Sequence, residues 1–399
     1  MLVTLYFQVH QPWRLRALRS YETIEGTDYW DKRKNKEILD RVAQKCYLPT
    51  NAMLLKLAKQ HQGKFRFSFS LSGTFLEQCQ ELRPDVLQSF QELADLECVE
   101  ILGETYYHSL AGLWEEQEEF EAQMRLDREL VREVFGREPK VFRNTELIFD
   151  NRIARTVKEM GYQAILTEGI ERVLGDRSPN FVYQALSGLP VLLKNYRLSD
   201  DVAFRFHDHH WKEFPLTADK YGRWLGQPQG DVVNLMMDYE TFGEHKWAET
   251  GIFQFLEHFP GEALRNNVEF LTPGEAVARL PVRSQLDVPF AISWADVERD
   301  VSAWLGNEMQ QEAFNALRFM RERVLATKDP QLIQAWRRLL TSDHVYYCST
   351  KAIQDQDIHA YFSPYESPYL AFIYLMNAIK DLDHKVRMRL EQQHQAAAR

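Results

Sequence analysis

"VVNLMMDYETFGEH" (residues 232–245) is the stretch on which the fold turns. Five of its first six residues are apolar, so it reads as a strand covered on both faces, as parallel strands are. It then runs into Asp238, Tyr239, Glu240, Phe242, Glu244 and His245. A strand with dry walls that ends in three acids and a histidine is emerging from a core into a pocket. In parallel α/β folds the chemistry sits at that end of the strand.

Working outward, six more runs have the same short, continuous character. They are "LVTLYFQVH" (2–10), "FRFSFSLS" (65–72), "VEILGE" (99–104), "VFRNTEL" (141–147), "AILTEG" (164–169) and "VLLKNYRLS" (191–199). Helical patterns lie between them, over 84–97, 115–135 and 151–160. Residues 84–97 open with Pro84 and Asp85, and Gly161 closes 151–160. Strands alternating with helices, about seven times, predict a parallel barrel or a doubly wound sheet. Beyond about residue 300 the apolar spacing becomes helical, over 307–327, 329–347 and 367–395. The domain reading is therefore a strand–helix domain over 1–300 and a C-terminal α-helical bundle over 301–399. No Gly/Ser linker separates them, so the bundle is expected to pack on the first domain. The terminal "AAAR" (396–399) is expected to be disordered.

Composition removes several functions. The formal charge is −10, which argues against a nucleic-acid partner. The start, "MLVTLYFQVHQPW", lacks a basic region and a cleavage site, and no run reaches the ~18–20 apolar residues of a membrane span. Cys46, Cys79, Cys98 and Cys348 are scattered without metal or redox spacing. Reduced thiols in a chain read without a leader imply a cytoplasmic enzyme.

The strand ends carry polar residues out of proportion. The first run finishes in His10, Gln11, Pro12 and Trp13. The third carries Glu100 and continues into Glu104, Tyr106, Tyr107 and His108. The fourth ends in Arg143, Asn144 and Glu146; the last ends in Asp238 and Glu240. Two carboxylates on separate strands of one barrel can be held ~5–5.5 Å apart, as a retaining glycosidase requires. Their repulsion favours one ionised and one protonated group. Arg143, three positions before Glu146, is placed to favour the anion if it points the same way.

These motifs resemble a known family. "HQP", "VEILGETYYHS", "VFRNTEL", "MMDYETFGEH" and "TPGEAV" are similar, in order, to the five motif regions of glycoside hydrolase family 57. The resemblance is closest to its α-amylase branch, which "SAWLGNEMQ", "SDHVYY" and "YFSPYESPY" also resemble. It implies an irregular (β/α)7 barrel of parallel strands followed by a helical domain, and a retaining mechanism without a required cofactor or metal. It places the nucleophile on Glu146, the acid/base on Asp238, the first-motif histidine on His10 and the second-motif glutamate on Glu100. The implied substrate is an α-glucan polysaccharide or maltooligosaccharide. Transfer to a sugar acceptor, as in a 4-α-glucanotransferase or branching enzyme, would use the same carboxylates.

Each residue also has a structural reading. Glu146 could cap the helix at 151, and Asp238 the segment after it. His10 could be a satisfied core histidine. Glu100, inside an apolar run, needs a partner, either sugar hydroxyls or His10. Trp13, Tyr106 and Tyr107 could be core or sugar-stacking surfaces. Trp294 and Trp304 could reach back from the domain junction, with Trp304 preferred, and Asp343 and His344 could approach the cleft. The tight cluster His207, Asp208, His209 and His210 reads as a loop rather than a metal site.

Overall fold

The computed structural model describes residues 1–19, 22, 24–351 and 362–397. Strand β1 (Leu2–Val9) shows why the apolar runs fold as they do. Its odd residues Val3, Leu5, Phe7 and Val9 join a large apolar cluster with helix residues such as Leu54, Phe75 and Phe90. Its even residues face the other way, where Tyr6 belongs to a second, smaller cluster. Period-two alternation therefore separates a helix-covered face from an enclosed one.

Around β1 the strands close on themselves. It pairs in parallel with β2 (Phe67–Leu71) on one side and β8 (Val232–Asp238) on the other. β2 leads to β3 (Val99–Ile101), and β4 (Val141–Arg143) pairs with β5 (Ala164–Glu168). β5 pairs with β7 (Pro190–Lys194), and β7 reaches β8 through Lys194 and Asn234. A parallel bridge between Gly103 and Phe142 joins β3 to β4. There Gly103 N–H donates to Val141 O at 3.0 Å and Arg143 N–H to Gly103 O at 2.8 Å. Strands β1, β2, β3, β4, β5, β7 and β8 thus form a ring of parallel strands, the irregular (β/α)7 barrel that the family resemblance implies, rather than the doubly wound sheet that the pattern also allowed.

The irregularity comes from three short strands that the sequence reading does not contain. β6 (Val182–Ala185) runs antiparallel beside the start of β7, β10 (Val282–Leu286) pairs with β6, and β9 (Glu269–Leu271) lies beside Leu2–Thr4. The run 191–199 is strand only to Lys194. Asn195 then caps a helix, Tyr196–Ala203, by accepting from Leu198 N–H. The run 141–147 is strand only to Arg143, before a tight turn over Thr145–Leu147.

The chain divides into two compact units. One comprises Met1–Gln11, Glu37–Tyr106 and Glu118–Trp294; the other comprises Pro12–Lys36, Tyr107–Gln117 and Ala295–Arg399. The second unit is built on the helices Glu308–Ala326, Pro330–Leu339, Ser342–Tyr346 and Pro368–Ala397. Asn307 and Gln310 form a capping box at the first of these, and Asp329 caps the second. Trp336, fully buried, donates its indole N–H to Leu317 O at 2.9 Å and so ties the first two helices together. The last helix includes Ala396 and Ala397, against the expected disorder of the terminus; Ala398 and Arg399 lie outside the described residues, as does Tyr361.

The helix-covered face of the barrel is an aromatic layer. Phe69 of β2 meets Phe7, Phe67, Phe90 and Tyr239 at ring-centroid distances of 5.2–5.7 Å, mostly edge to face. Phe69→Ala should therefore destabilise the protein by about 3–5 kcal/mol. It should lower the urea midpoint with an unchanged denaturant slope, and a loss below about 1 kcal/mol would show that the layer can collapse around the gap.

Candidate active site

Inside the ring the side chains change from apolar to polar along the strands. Toward the starts lie Val141, Ala164, Leu192 and Val232. Above them Thr4 donates to Asn234 Oδ1 at 2.7 Å, and Tyr6 donates to Gln8 Oε1 at 2.8 Å and pairs with Ser70 at 2.7 Å. At the ends stand Glu104, Arg143, Glu168, Lys194 and Asp238. Gln8 lies in register with both Ser70 and Asp238. Most of these groups are buried. Partial exposure returns at His10, Tyr106, Glu146, Asp238 and Trp294, which marks where solvent meets the polar end of the barrel.

Glu146 follows β4 in a strained turn. It has φ +56° and ψ +27°, and Leu147 follows at φ +52°. Two successive left-handed residues other than glycine cost roughly 1–3 kcal/mol each. Their surroundings impose the shape. Asn144 O and Thr145 O accept from Leu147 and Ile148 N–H, Thr167 Oγ1 donates to Leu147 O at 3.1 Å, and Asn144 Nδ2 donates to Ile148 O at 2.9 Å. Thr105 and Thr145 pair through their hydroxyls. The turn lifts the Glu146 side chain out of the strand line, where the indole N–H of Trp294 donates to Oε2 at 2.6 Å. The same indole lies against two cations. Arg143 Cζ is 4.9 Å and Lys194 Nζ 5.2 Å from the ring centroid. Lys194 is itself paired with Asp200 at 3.1 Å and Glu168 at 3.5 Å.

Asp238 ends β8, three strands from β4 by way of β5 and β7. On a ring of seven, β4 and β8 are three strands apart one way and four the other, and because the strands are parallel both acids stand at the same end of the barrel. Asp238 and Arg143 both act on the Tyr6 phenol, Asp238 raising its pKa and Arg143 lowering it, beneath the larger effect of burial. Beyond Asp238 the chain folds onto a turn of π-helix, Ala43–Tyr47. There the Cys46 thiol donates to Tyr239 O at 3.3 Å, and the Tyr47 hydroxyl donates to Glu240 while accepting from Gln11 Nε2 at 3.1 Å. Gly243, at φ +107°, lies so close to Lys45 O that a Cβ would stand 1.9 Å from it, so only glycine fits. Burial, reinforced by Asp238, pushes the Glu240 carboxyl up to about 8. Burial, with Lys246 alongside, takes His245 down to about 3, and desolvation takes Lys246 to about 8.

The other sequence candidates divide by unit. In the barrel unit, His10 Nδ1 pairs with Ser72 Oγ at 2.7 Å, and Tyr106 donates to Glu77 at 3.1 Å with its ring against Gly73. Glu100 does not join this group. Its carboxylate accepts from Gly274 N–H at 2.8 Å, at the start of the helix Pro273–Arg279 that follows β9. Desolvation raises its pKa against the pull of Gly274 and Thr272. The end of β9 is level with Thr4, four residues and about 13 Å along β1 before Gln8. The partner that Glu100 needs is thus a helix N-terminus.

Trp13, Tyr107, His108, Trp304, Asp343 and His344 belong to the helical unit. Trp13, Tyr107 and Trp304 are core residues there, 3%, 5% and 2% exposed. Arg338 lies 4.8 Å from the Trp13 ring, His108 O accepts from Ser342 N–H at 2.9 Å, and Asp343 accepts from the Tyr347 hydroxyl at 3.3 Å. Sequence reasoning missed Glu168 and Lys194, although both end strands it had identified. It also ranked Trp294 below Trp304. Among the described residues no group of three or more His, Cys, Asp or Glu side chains is arranged to hold a metal.

The raised Glu240 carries a linkage consequence. From about 4.5, its ordinary value, up to about 8 the folded protein holds a proton there that the unfolded chain releases. This group's contribution to stability therefore falls as pH rises through that window. Glu240→Gln, which keeps an acceptor for Tyr47, should flatten the decline in urea midpoint between about pH 5 and pH 8. Parallel pH profiles for the two proteins would rule this out.

Comparison with known proteins bears on the family and the fold. The model of glycosyl hydrolase family 57 matches residues 4–289. A Methanocaldococcus jannaschii protein named "Putative alpha-amylase" is 44% identical over 399 residues, spanning 97% of this chain and 85% of its own. Among solved structures, a family 57-type branching enzyme of Pyrococcus horikoshii has TM-score 0.69 at 15% identity, over 90% of this chain and 87% of its own. A 4-alpha-glucanotransferase of Thermococcus litoralis has TM-score 0.61 at 15% identity, over 86% of this chain and 54% of its own. An alpha-amylase of Thermotoga maritima has TM-score 0.58 at 12% identity, over 97% and 95%. At such identities the structures speak for a shared fold, while the family model and the 44% relative speak for descent. The chain belongs to glycoside hydrolase family 57.

Proposed function

We propose that the protein is a retaining glycoside hydrolase that cleaves α-1,4-glucosidic bonds of starch, glycogen or maltooligosaccharides. The observation that carries the reading is the pair of partly exposed carboxylates, Glu146 and Asp238, that follow β4 and end β8 at the same end of the barrel. Glu146 attacks the anomeric carbon while Asp238 gives its proton to the leaving glycosidic oxygen. The C–O bond breaks as the glycosyl ester forms. Asp238, now a carboxylate, takes a proton from water; the water oxygen attacks the anomeric carbon and frees Glu146. His10 and Tyr106, both partly exposed in the barrel unit, supply candidate contacts for sugar hydroxyls and ring faces.

The strain at Glu146 and Leu147 fits this assignment, because an imposed backbone geometry fixes where a nucleophile stands. The name of the 44% identical relative favours hydrolysis. Transfer remains the alternative, since the fold is shared with a branching enzyme and a glucanotransferase. Cys46, Cys79, Cys98 and Cys348 are buried and unpaired, which suits a reducing compartment such as the cytoplasm. Among the described residues no helix is long and apolar enough to cross a membrane.

Glu146→Gln and Asp238→Asn should each fold as the parent does and lower turnover on maltoheptaose by about a thousandfold or more. Near-parental activity in Glu146→Gln would sink the assignment. Products of the parent enzyme decide between water and sugar as acceptor: shorter reducing sugars alone mean hydrolysis, and longer oligomers or α-1,6 branches mean transfer.

A further inference from the structure

The segment after β10 does more than close the barrel unit. It runs antiparallel beside the chain that carries Glu146. Phe149 and Ile292 exchange two N–H···O bonds of 3.0 Å, Asn151 N–H donates to Val288 O at 2.9 Å, and Val288 N–H donates to Asn151 Oδ1 at 2.9 Å. At its end Trp294 meets Glu146 twice: main chain to main chain at 3.3 Å, and indole N–H to carboxylate Oε2 at 2.6 Å. Trp294 thus holds both the backbone and one carboxylate oxygen of the residue assigned as nucleophile.

The cations on the indole face give this bond its character. A positive charge over the ring draws electron density from it and makes the N–H a stronger donor. Lys194 is matched by Asp200 and Glu168. Arg143 differs. It is fully buried, and its three guanidinium nitrogens have no hydrogen-bond partner among the described residues. A buried cation of that kind costs several kcal/mol unless another interaction offsets it. The Trp294 ring is such an interaction, and the indole leads directly to the Glu146 carboxylate.

We propose that Trp294 is the positioning residue of Glu146, with Arg143 behind it as the charge that strengthens the indole donor. Trp294 orients the carboxylate for attack and favours its ionised form. The inference rests on Glu146 as nucleophile. Its distinctive consequence lies on the acid side of the pH–rate profile, where an ionised nucleophile is lost.

The test is Trp294→Phe, which keeps a ring for Arg143 and Lys194 but removes the N–H. With the fold checked by circular dichroism, kcat should fall about 10- to 100-fold with little change in KM. The acid limb of kcat/KM should move up by about one pH unit, because the carboxylate then protonates more readily. Unchanged kcat and acid limb beside an inactive Glu146→Gln would overturn the inference and leave the proposed function standing. A lower kcat with an unmoved acid limb would also overturn it, reducing Trp294 to packing. An active Glu146→Gln would instead remove the proposed function itself.

A second measurement needs no change at residue 294. In protein labelled with 15N-tryptophan, one indole resonance should titrate with the acid limb and lose that titration in Glu146→Gln. Absence of such a resonance overturns the proposal.

Discussion

Alternation on a closed ring of parallel strands is the constraint on which the rest depends. Each strand must present an apolar face to the helices, so Phe7, Phe67, Phe69 and Tyr239 form a continuous aromatic layer. The opposite face is then enclosed by the ring whatever residues it carries. Toward the strand starts it is filled by Val141, Leu192 and Val232. Toward the ends it holds ions and amides, each needing a partner because no bulk water screens it. Thr4 with Asn234, Tyr6 with Ser70, and Lys194 with Glu168 and Asp200 are those partnerships.

The two proposed catalytic strand ends differ in how their acids are held. After β4, a left-handed pair of residues and the Trp294 indole grip Glu146. After β8, a π-turn brings Cys46 and Tyr47 against the segment following Asp238, and burial keeps Glu240 protonated. A neutral Glu240 adds no negative charge beside Asp238.

Much of this was legible because parallel strands buried on both faces leave short apolar runs. Six of the seven ring strands fall within such runs and β7 starts one residue before its own, and Glu146 and Asp238 stood out as acids where a run stops. β10 was not legible: "VRSQL" is mostly polar and mostly exposed, so it carries no apolar signal. The helix start at Tyr196 was masked because "VLLKNYRLS" continues in apolar residues past its Asn195 cap. Trp13, Tyr107 and Trp304 read equally as core and as sugar-stacking surfaces, since both settings favour large aromatic rings; in the structure they are buried.

By itself the sequence determined the parallel strands, the helical region that follows them and the acids at the strand ends, because periodicity and strand-end polarity are local properties of the chain; the barrel came from the family resemblance. The partners of Glu146, Glu240 and Glu100 were decided only by tertiary structure. Trp294 is 148 residues from Glu146, Tyr47 is 193 from Glu240, and Gly274 is 174 from Glu100. Such pairings depend on which strands adjoin and how deep each side chain sits. Closure of the ring sets both, and no window of sequence contains them.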